Sequence, residues 1–134
     1  MDRRGKYDFD FTGRSVLVVE DTPMSFKLID TVLNQVNASV THAPDALKAI
    51  ELCNSDRHFD VVLMDIQLPG MNGITATKEI KKIRPDLPVI AATANTFDDE
   101  ERACREAGCE VYLTKPLQFK KLFELMQTLF DRQS

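Results

Sequence analysis

The chain has 134 residues, of which 43% are hydrophobic and 28% charged, and its formal net charge is −4. This length fits one domain with its own core, and the mildly acidic charge gives no reason to expect direct nucleic-acid binding. No apolar run approaches the roughly 20 residues of a membrane-spanning helix, and the charged N-terminus lacks the apolar region of a secretory signal. We therefore expect a cytoplasmic protein without membrane insertion. The three cysteines suggest neither a disulfide framework nor a zinc site, which favours packing roles.

The first half of the chain predicts two strand–helix units after a short extension, residues 1–13. A β-branched run predicts a strand at 15–19, and a helix at 23–36 follows, which Thr22 can cap and whose first turn suits Pro23. The predicted inward stripe of this helix consists of Leu28, Ile29, Val32, Leu33 and Val36. A shorter strand at 38–43 and a helix at 44–53 complete the second unit.

The second half repeats this alternation three times. An apolar strand at 60–64 precedes a helix at 74–83, and an apolar strand at 88–93 precedes a helix at 98–108. Four acids open that helix, which favours an N-terminus, and Gly108 suits the position after its last turn. A strand at 110–114 and a helix at 117–130 end the pattern.

Five alternating strands and helices predict an α/β fold with right-handed crossovers and a parallel sheet that helices cover on both faces. This is the three-layer, doubly wound (βα)5 sandwich. The fully apolar strands fit this arrangement because strands buried on both faces need no polar alternation. We expect residues 14–131 to form the domain.

Chemically active side chains cluster where the predicted strands end. Glu20 and Asp21 follow the first strand, Asp65 ends the third, Thr93 ends the fourth, and Lys115 follows the fifth. Ligands of open parallel sheets bind beyond the carboxyl ends of the strands, so we expect these residues to converge.

Three converging carboxylates would repel one another and raise at least one pKa. A divalent cation removes that repulsion, and Mg²⁺ prefers carboxylates, water and phosphate oxygens as ligands. A nearby lysine and threonine can hold the remaining oxygens of a phosphoryl group. With its charge balanced, one carboxylate can act as a nucleophile and form an acyl phosphate.

Four motifs, "VVED", "LMDIQLPGMNG", "AATAN" and "YLTKPL", carry a family resemblance over residues 14–131. The chain resembles the receiver domain of two-component response regulators, including the single-domain chemotaxis type and the receivers of hybrid histidine kinases. The resemblance implies a flavodoxin-like sheet in the order 2-1-3-4-5. It also implies a phosphoryl group accepted from a histidine kinase or histidine phosphotransfer protein, with Mg²⁺ as cofactor and Mn²⁺ as an alternative ion. No enzymatic activity is implied beyond the domain's own phosphoryl transfer and slow dephosphorylation.

The resemblance implies a role for each residue of the cluster. Asp65 would be the phosphoacceptor and become 4-aspartylphosphate. Asp21 would bind the metal directly and Glu20 largely through water, with the backbone carbonyl of Gln67 as another ligand. Lys115 would pair with the phosphoryl group, and the Lys115–Pro116 peptide would be cis.

The resemblance also implies a switch. Thr93 would bond a phosphoryl oxygen and move inward, and the ring of Tyr112 would follow it. The shift would change the surface of the fourth helix, fifth strand and fifth helix, where an unidentified output protein would bind. Gln67 and Asn95 match the positions that tune dephosphorylation, and because both are neutral we expect no strong built-in acceleration. Thr22 replaces the asparagine common in hybrid-kinase receivers.

Other functions compete with this interpretation. A flavin-binding electron carrier of the same fold would need a hydroxyl- and glycine-rich phosphate loop, where "EDTPMS" has two acids. A metal-dependent phosphatase with an aspartyl nucleophile would want a general acid at position 67, which is Gln67. A degenerate receiver is disfavoured because all five functional positions are intact.

The context of the domain stays open between two alternatives. The initiating Met1 and the ending "LFDRQS" favour a stand-alone receiver or phosphorelay shuttle. The segment "YDFDFTGRSVLVVED" resembles the join between a kinase ATP-binding domain and its receiver, which supports a receiver excised from a hybrid kinase. We expect the stand-alone form.

Overall fold

The computed structural model describes residues 7–94 and 98–133. Its strands are β1 (Ser15–Val19), β2 (Ser39–Ala43), β3 (Val61–Asp65), β4 (Val89–Thr93) and β5 (Val111–Thr114). Its helices are α1 (Pro23–Gln35), α2 (Ala46–Cys53), α3 (Gly73–Ile83), α4 (Asp98–Ala107) and α5 (Phe119–Gln133). Within the described ranges, no helix combines the length and apolar character that crossing a membrane would require.

The strands form one parallel sheet in the order β2-β1-β3-β4-β5, which confirms the doubly wound α/β fold. The chain order reverses between β1 and β3, which lie side by side in the middle of the sheet. The ends of these two strands therefore flank the crevice in which ligands of such sheets bind.

The three central strands, β1, β3 and β4, are buried on both faces, and consecutive residues along them belong to different cores. Val16 and Val18 of β1 face the core beneath α1 and α5, whereas Leu17 and Val19 face the core beneath α2, α3 and α4. Successive strand side chains point to opposite faces, so both faces of this central strand must be apolar. Packing against the two cores therefore fixes the position and direction of the strand ends.

Two predicted details of α1 are wrong. Thr22 occupies the N-cap position, but its side chain makes no capping hydrogen bond; its backbone N–H instead donates to Glu20 Oε2 at 3.2 Å. Leu28 is 55% exposed, because the buried stripe of Ile29, Val32, Leu33 and Val36 already fills the i, i+3, i+4, i+7 positions. Leu28 stands one residue before that stripe, on its flank.

Side chains cap two other helices. Asp45 accepts a hydrogen bond from Lys48 N at 2.8 Å, so α2 begins two residues later than the predicted start at 44. Asn72 accepts one from Thr75 N at 3.0 Å at the start of α3. Ser, Thr, Asp and Asn compete for N-caps on similar terms, so sequence alone leaves such boundaries uncertain by a residue or two.

The N-terminal extension packs onto α5 with aromatic side chains. Phe11 is fully buried, and its ring centroid lies 5.0 Å from that of Phe130. Tyr7 and Phe9 meet the ring of Phe123 at 5.1 and 5.7 Å. The backbone N–H of Phe11 also donates to the carbonyl oxygen of Val36, the residue just after α1, at 2.7 Å. From Tyr7 onward, the extension therefore contributes to the core between α1 and α5.

Candidate functional site at the carboxyl edge of the sheet

Three carboxylates converge where β1 and β3 end. Oxygen atoms of Glu20, Asp21 and Asp65 all lie within 4.8 Å of one another. Glu20 and Asp65 are buried, and Asp21 is exposed at the mouth of the crevice. The strand pairing produces this convergence, because β1 and β3 run in parallel with Val19 opposite Met64. The acids that follow these paired residues are thereby brought to one edge.

Lys115 joins the cluster from the end of β5. Its ammonium nitrogen lies 3.2 Å from Glu20 Oε1 and 3.4 Å from Asp65 Oδ1. Its backbone N–H donates to the carbonyl oxygen of Thr93 at 2.7 Å, which ties it to β4. The Lys115–Pro116 peptide bond is cis. One cation therefore faces three carboxylates, and the local charge stays negative.

The environment of Asp65 shifts its ionisation. Burial raises the pKa of this carboxyl to about 6, Lys115 acts to lower it, and the charge of Glu20 raises it again. The backbone N–H of Gln67 donates to Asp65 Oδ1 at 3.0 Å and also favours the ionised form. Asp65 is thus a buried carboxyl whose charge is only partly compensated by the protein.

The chemistry of the donor set fits a hard divalent cation. Three carboxylates offer oxygen ligands from two different strand ends, and no soft ligand lies among them. The residual negative charge around Asp65 would be offset by such an ion. The residues of this edge could therefore hold a metal ion.

Thr93 is buried at the end of β4 and is bonded to Gln67. The Nε2 of Gln67 donates to Thr93 Oγ1, and the Oε1 of the same carboxamide accepts from Ala94 N at 3.1 Å. The loop after β3 is thereby attached to the end of β4. Nothing in the sequence indicates this contact. The two residues are 26 apart, the Gln67 side chain is neutral, and no motif fixes the spacing between them.

Tyr112 lies on β5 with its hydroxyl directed at α4. The hydroxyl donates to Glu100 Oε1 at 2.9 Å, and the ring packs against the core beneath α2, α3 and α4. Burial, and then the bond to the Glu100 carboxylate, raise the pKa of Tyr112 to about 12. Sequence analysis did not find Glu100 as this partner. Asn95, the other position predicted to tune dephosphorylation, lies outside the described residues.

The structure therefore brings together most of the predicted site. Glu20, Asp21, Asp65 and Lys115 form one cluster, and Thr93 reaches it through the Gln67 side chain. Tyr112 bonds Glu100 of α4, and its hydroxyl also interacts with Thr93. A direct contact between the Gln67 carbonyl and a metal stays a prediction.

The sequence and the fold are both similar to those of known proteins. The family model of the response regulator receiver domain matches residues 16–127. The polar-differentiation response regulator DivK of Brucella ovis is 33% identical over 118 residues, covering 86% of this chain and 94% of that protein. A receiver domain of a sensor histidine kinase from Pseudomonas aeruginosa PAO1 superposes with a TM-score of 0.80 at 32% identity, covering 88% of this chain and 98% of that one. Its structure has a magnesium ion coordinated in the active-site cleft.

Other relatives are much longer. Hybrid signal transduction histidine kinase I of Dictyostelium discoideum is 34% identical over 123 residues, covering 86% of this chain but 7% of that protein. The chain thus covers nearly the whole length of DivK but only a small segment of the hybrid kinase. The sheet order, the acid cluster at its carboxyl edge and the family match together lead to one conclusion: the chain belongs to the response regulator receiver domain family.

Proposed function

We propose that Asp65 accepts a phosphoryl group from the phosphohistidine of a histidine kinase or a histidine phosphotransfer protein. The observation that carries the proposal is the position of Asp65, buried at the end of β3 between Lys115 and the acids of β1. An Asp65 oxygen attacks phosphorus, and the phosphorus–nitrogen bond of the donor breaks. The electron pair stays on the imidazole, which leaves as the neutral ring with one of its nitrogens protonated. The product is an acyl phosphate on Asp65.

The acid cluster would hold Mg²⁺, or Mn²⁺ in its place. Asp21, Asp65 and the Gln67 carbonyl would be direct ligands, and Glu20 would act largely through water. When bound, the ion supplies positive charge that offsets the phosphoryl oxygens. Lys115, now shared between Glu20 and Asp65, would turn to a phosphoryl oxygen as the negative charge on the acceptor grows.

The switch would run through Thr93 and Tyr112. The Thr93 hydroxyl now accepts a hydrogen bond from Gln67, and to bond a phosphoryl oxygen it would donate its own proton and move toward the new group, away from Gln67. Tyr112 would then leave Glu100 and turn inward, changing the surface of α4, β5 and α5. A cavity of about 330 Å³ on this surface, lined in part by Tyr112, Gln118 and Lys121, is the proposed site of the output protein.

The phosphodonor protein would dock beside the site on α1. Met24 is 83% exposed and Leu28 is 55% exposed, although both are large and apolar. A cavity of about 200 Å³ lined by Leu28, Leu117 and Phe119 opens next to Lys115 and Glu20. An apolar surface at the rim of a charged site suits a partner that must bring its phosphohistidine to Asp65.

The proposed output is a signal rather than turnover of another substrate. Gln67 offers no carboxylic acid for phosphatase chemistry, and it and Asn95 are neutral, so we expect only slow dephosphorylation. We further propose that residues 14–131 act as the receiver unit in the cytoplasm. It would work either as a stand-alone regulator or phosphorelay shuttle, or as the receiver of a hybrid histidine kinase.

Intact mass spectrometry tests the acceptor. The chain is incubated with a small acyl phosphate donor, with Mg²⁺ or with a chelator, and its mass is followed. We expect one added phosphoryl group with Mg²⁺, little with the chelator, and none in Asp65→Asn. Asp56→Asn, at an exposed position away from the site, is the control and should behave as wild type. Equal phosphorylation of Asp65→Asn and wild type would show that another residue is the acceptor.

A further inference from the structure

Helix α4 ends in a Schellman motif that contains two cysteines. Gly108 has a φ of +114°, and its N–H donates to Arg105 O at 3.0 Å. The N–H of Cys109 donates to Cys104 O at 3.2 Å, so both bonds of the motif are present. In this motif the side chain three residues before the last helical residue contacts the side chain two residues after it. Here these two positions are Cys104 and Cys109.

The two thiols interact and differ chemically. The hydrogen bond with Cys104 lowers the pKa of Cys109, while burial opposes that change. The same bond raises the pKa of Cys104. Cys109 is 5% exposed and Cys104 is fully enclosed. Cys109 is therefore the better thiolate of the two and the less enclosed residue, and Cys104 is the thiol held against it.

We propose that Cys104 and Cys109 form a peroxide-sensitive dithiol that closes to a reversible disulfide across the end of α4. The Cys109 thiolate attacks one peroxide oxygen, the O–O bond breaks, and after protonation Cys109 sulfenic acid and water remain. The Cys104 sulfur then attacks the sulfenic sulfur, and a second water leaves with the Cys104 proton. In total, two thiols and one hydrogen peroxide give one disulfide and two waters.

Cys53 provides an internal comparison. It is also buried, but it lies on α2, where burial raises its pKa and the charge of Arg84 opposes the rise. No other thiol contributes to its ionisation. A buried thiol with a raised pKa is a poor nucleophile. The proposal therefore distinguishes the pair from a cysteine of similar burial in the same chain.

The disulfide would join the last turn of α4 to Cys109, two residues before β5 begins. These elements carry Glu100 and Tyr112, so the bond would restrain the surface that is proposed to respond to phosphorylation. This consequence rests on the proposed switch function. The formation of the disulfide does not, because no step in it involves Asp65 or a phosphoryl group.

The test oxidises the full chain with hydrogen peroxide and then alkylates the remaining thiols with N-ethylmaleimide under denaturing conditions. The reduced chain should take up three alkyl groups, one for each cysteine. After oxidation we expect one, with Cys53 alkylated and Cys104 linked to Cys109 in peptide maps. Dithiothreitol should restore all three.

Variants identify the pair. Cys53→Ala is the matched control and should form the disulfide at the wild-type rate. Cys104→Ala and Cys109→Ala should each fail to form the disulfide, and circular dichroism checks that both fold. Cys104→Ala should stop at the Cys109 sulfenic acid, which dimedone traps, whereas Cys109→Ala should form none there. Three alkylatable thiols in peroxide-treated wild type would overturn the proposal. So would peptide maps of oxidised wild type in which Cys104 and Cys109 are lost as thiols but are not linked to each other.

Hydrogen exchange measures the restraint. Amide exchange over residues 104–111 should slow in oxidised wild type, and not in Cys104→Ala treated in the same way. Exchange that stays unchanged when the disulfide has formed would overturn the restraint of α4. These readouts do not involve phosphorylation, so their failure is distinct from a failure of Asp65 as the acceptor.

Discussion

The carboxamide of Gln67, in the loop after β3, donates a hydrogen bond to the hydroxyl of Thr93 at the end of the neighbouring strand β4. It also accepts a hydrogen bond from the N–H of Ala94, so both ends of one side chain are attached to the end of β4. Thr93 is the residue proposed to bond the phosphoryl group. The loop after Asp65 is therefore already hydrogen-bonded to the Thr93 hydroxyl in the unphosphorylated protein.

Replacing this carboxamide should make the switch easier to move. Gln67→Leu removes both hydrogen bonds, and we expect a loss of about 1–2 kcal/mol in the free energy of unfolding. The NMR signals of Tyr112 should shift toward their positions in the phosphorylated protein, because Gln67 no longer holds the Thr93 hydroxyl in place. Gln35→Leu, on the exposed end of α1, is the control. Tyr112 signals identical to those of wild type would contradict a restraining role for Gln67.

The raised pKa of Asp65 predicts a pH-dependent stability. Because its pKa of about 6 in the fold lies above the ordinary value of 3.8, the fold favours the protonated carboxyl. The contribution of the protonated Asp65 carboxyl to the free energy of unfolding is fully present below about pH 4 and is lost as the pH rises through 6. Without divalent ions, Asp65→Asn should therefore be more stable than wild type at pH 8, by on the order of 3 kcal/mol.

Urea unfolding at several pH values between 4 and 8, in the presence of a chelator, measures this difference. The advantage of Asp65→Asn should shrink as the pH falls and vanish near pH 4. Asp56→Asn should show no such trend, because its side chain is exposed. A constant difference between Asp65→Asn and wild type over the whole range would contradict the raised pKa.

The bond between Tyr112 and Glu100 predicts a change in tyrosine ionisation. Glu100→Gln removes the negative charge beside the hydroxyl, so the pKa of Tyr112 should fall from about 12 toward its ordinary value of 10. Burial remains as the larger cause, so the fall should be partial. Tyrosinate absorbance in a Tyr7→Phe background isolates the one remaining tyrosine. Glu101→Gln is the matched control, because Glu101 pairs with Arg105 instead.

The exposed apolar residues of α1 predict a difference between two kinds of phosphodonor. Met24→Ser with Leu28→Ser should slow transfer from a phosphorylated histidine phosphotransfer protein that is active on wild type, by about tenfold or more if docking loses 1.4 kcal/mol. Transfer from a small acyl phosphate should stay unchanged, because it needs no docking surface. Leu47→Ser on α2, where Leu47 is 69% exposed, is the control. Equal slowing with both donors would place the defect in the site itself.

The fold could be predicted because its signals are local and repeated. Short, β-branched apolar runs such as 16–19 and 61–64 favour strands buried on both faces, and their alternation with helices leaves few topologies. The acid cluster followed from the same logic, since parallel strands end at one edge. Glu20, Asp21 and Asp65 are far apart in sequence, yet their places at strand ends were enough.

The contacts that sequence analysis missed depend on side-chain geometry between elements. Nothing in the sequence marks Gln67 as the partner of Thr93, or Glu100 as the partner of Tyr112, because neutral and acidic residues are common in loops and helix starts. The cysteines were interpreted as packing residues, and only the turn at Gly108 brings two of them together. Leu28 was assigned inward because periodicity does not define the width of a buried stripe.

The aromatic packing of the extension means that the folding unit is longer than the segment that the family model matches. The family model covers residues 16–127, but Phe11 and Phe130 lie outside it and bury their rings against each other. A fragment cut to the family limits would lose both rings, and removing one buried phenylalanine typically costs about 3–5 kcal/mol. That is comparable to the whole stability of many small domains, about 5–15 kcal/mol. Excising this receiver by family boundaries alone would thus remove part of what keeps it folded.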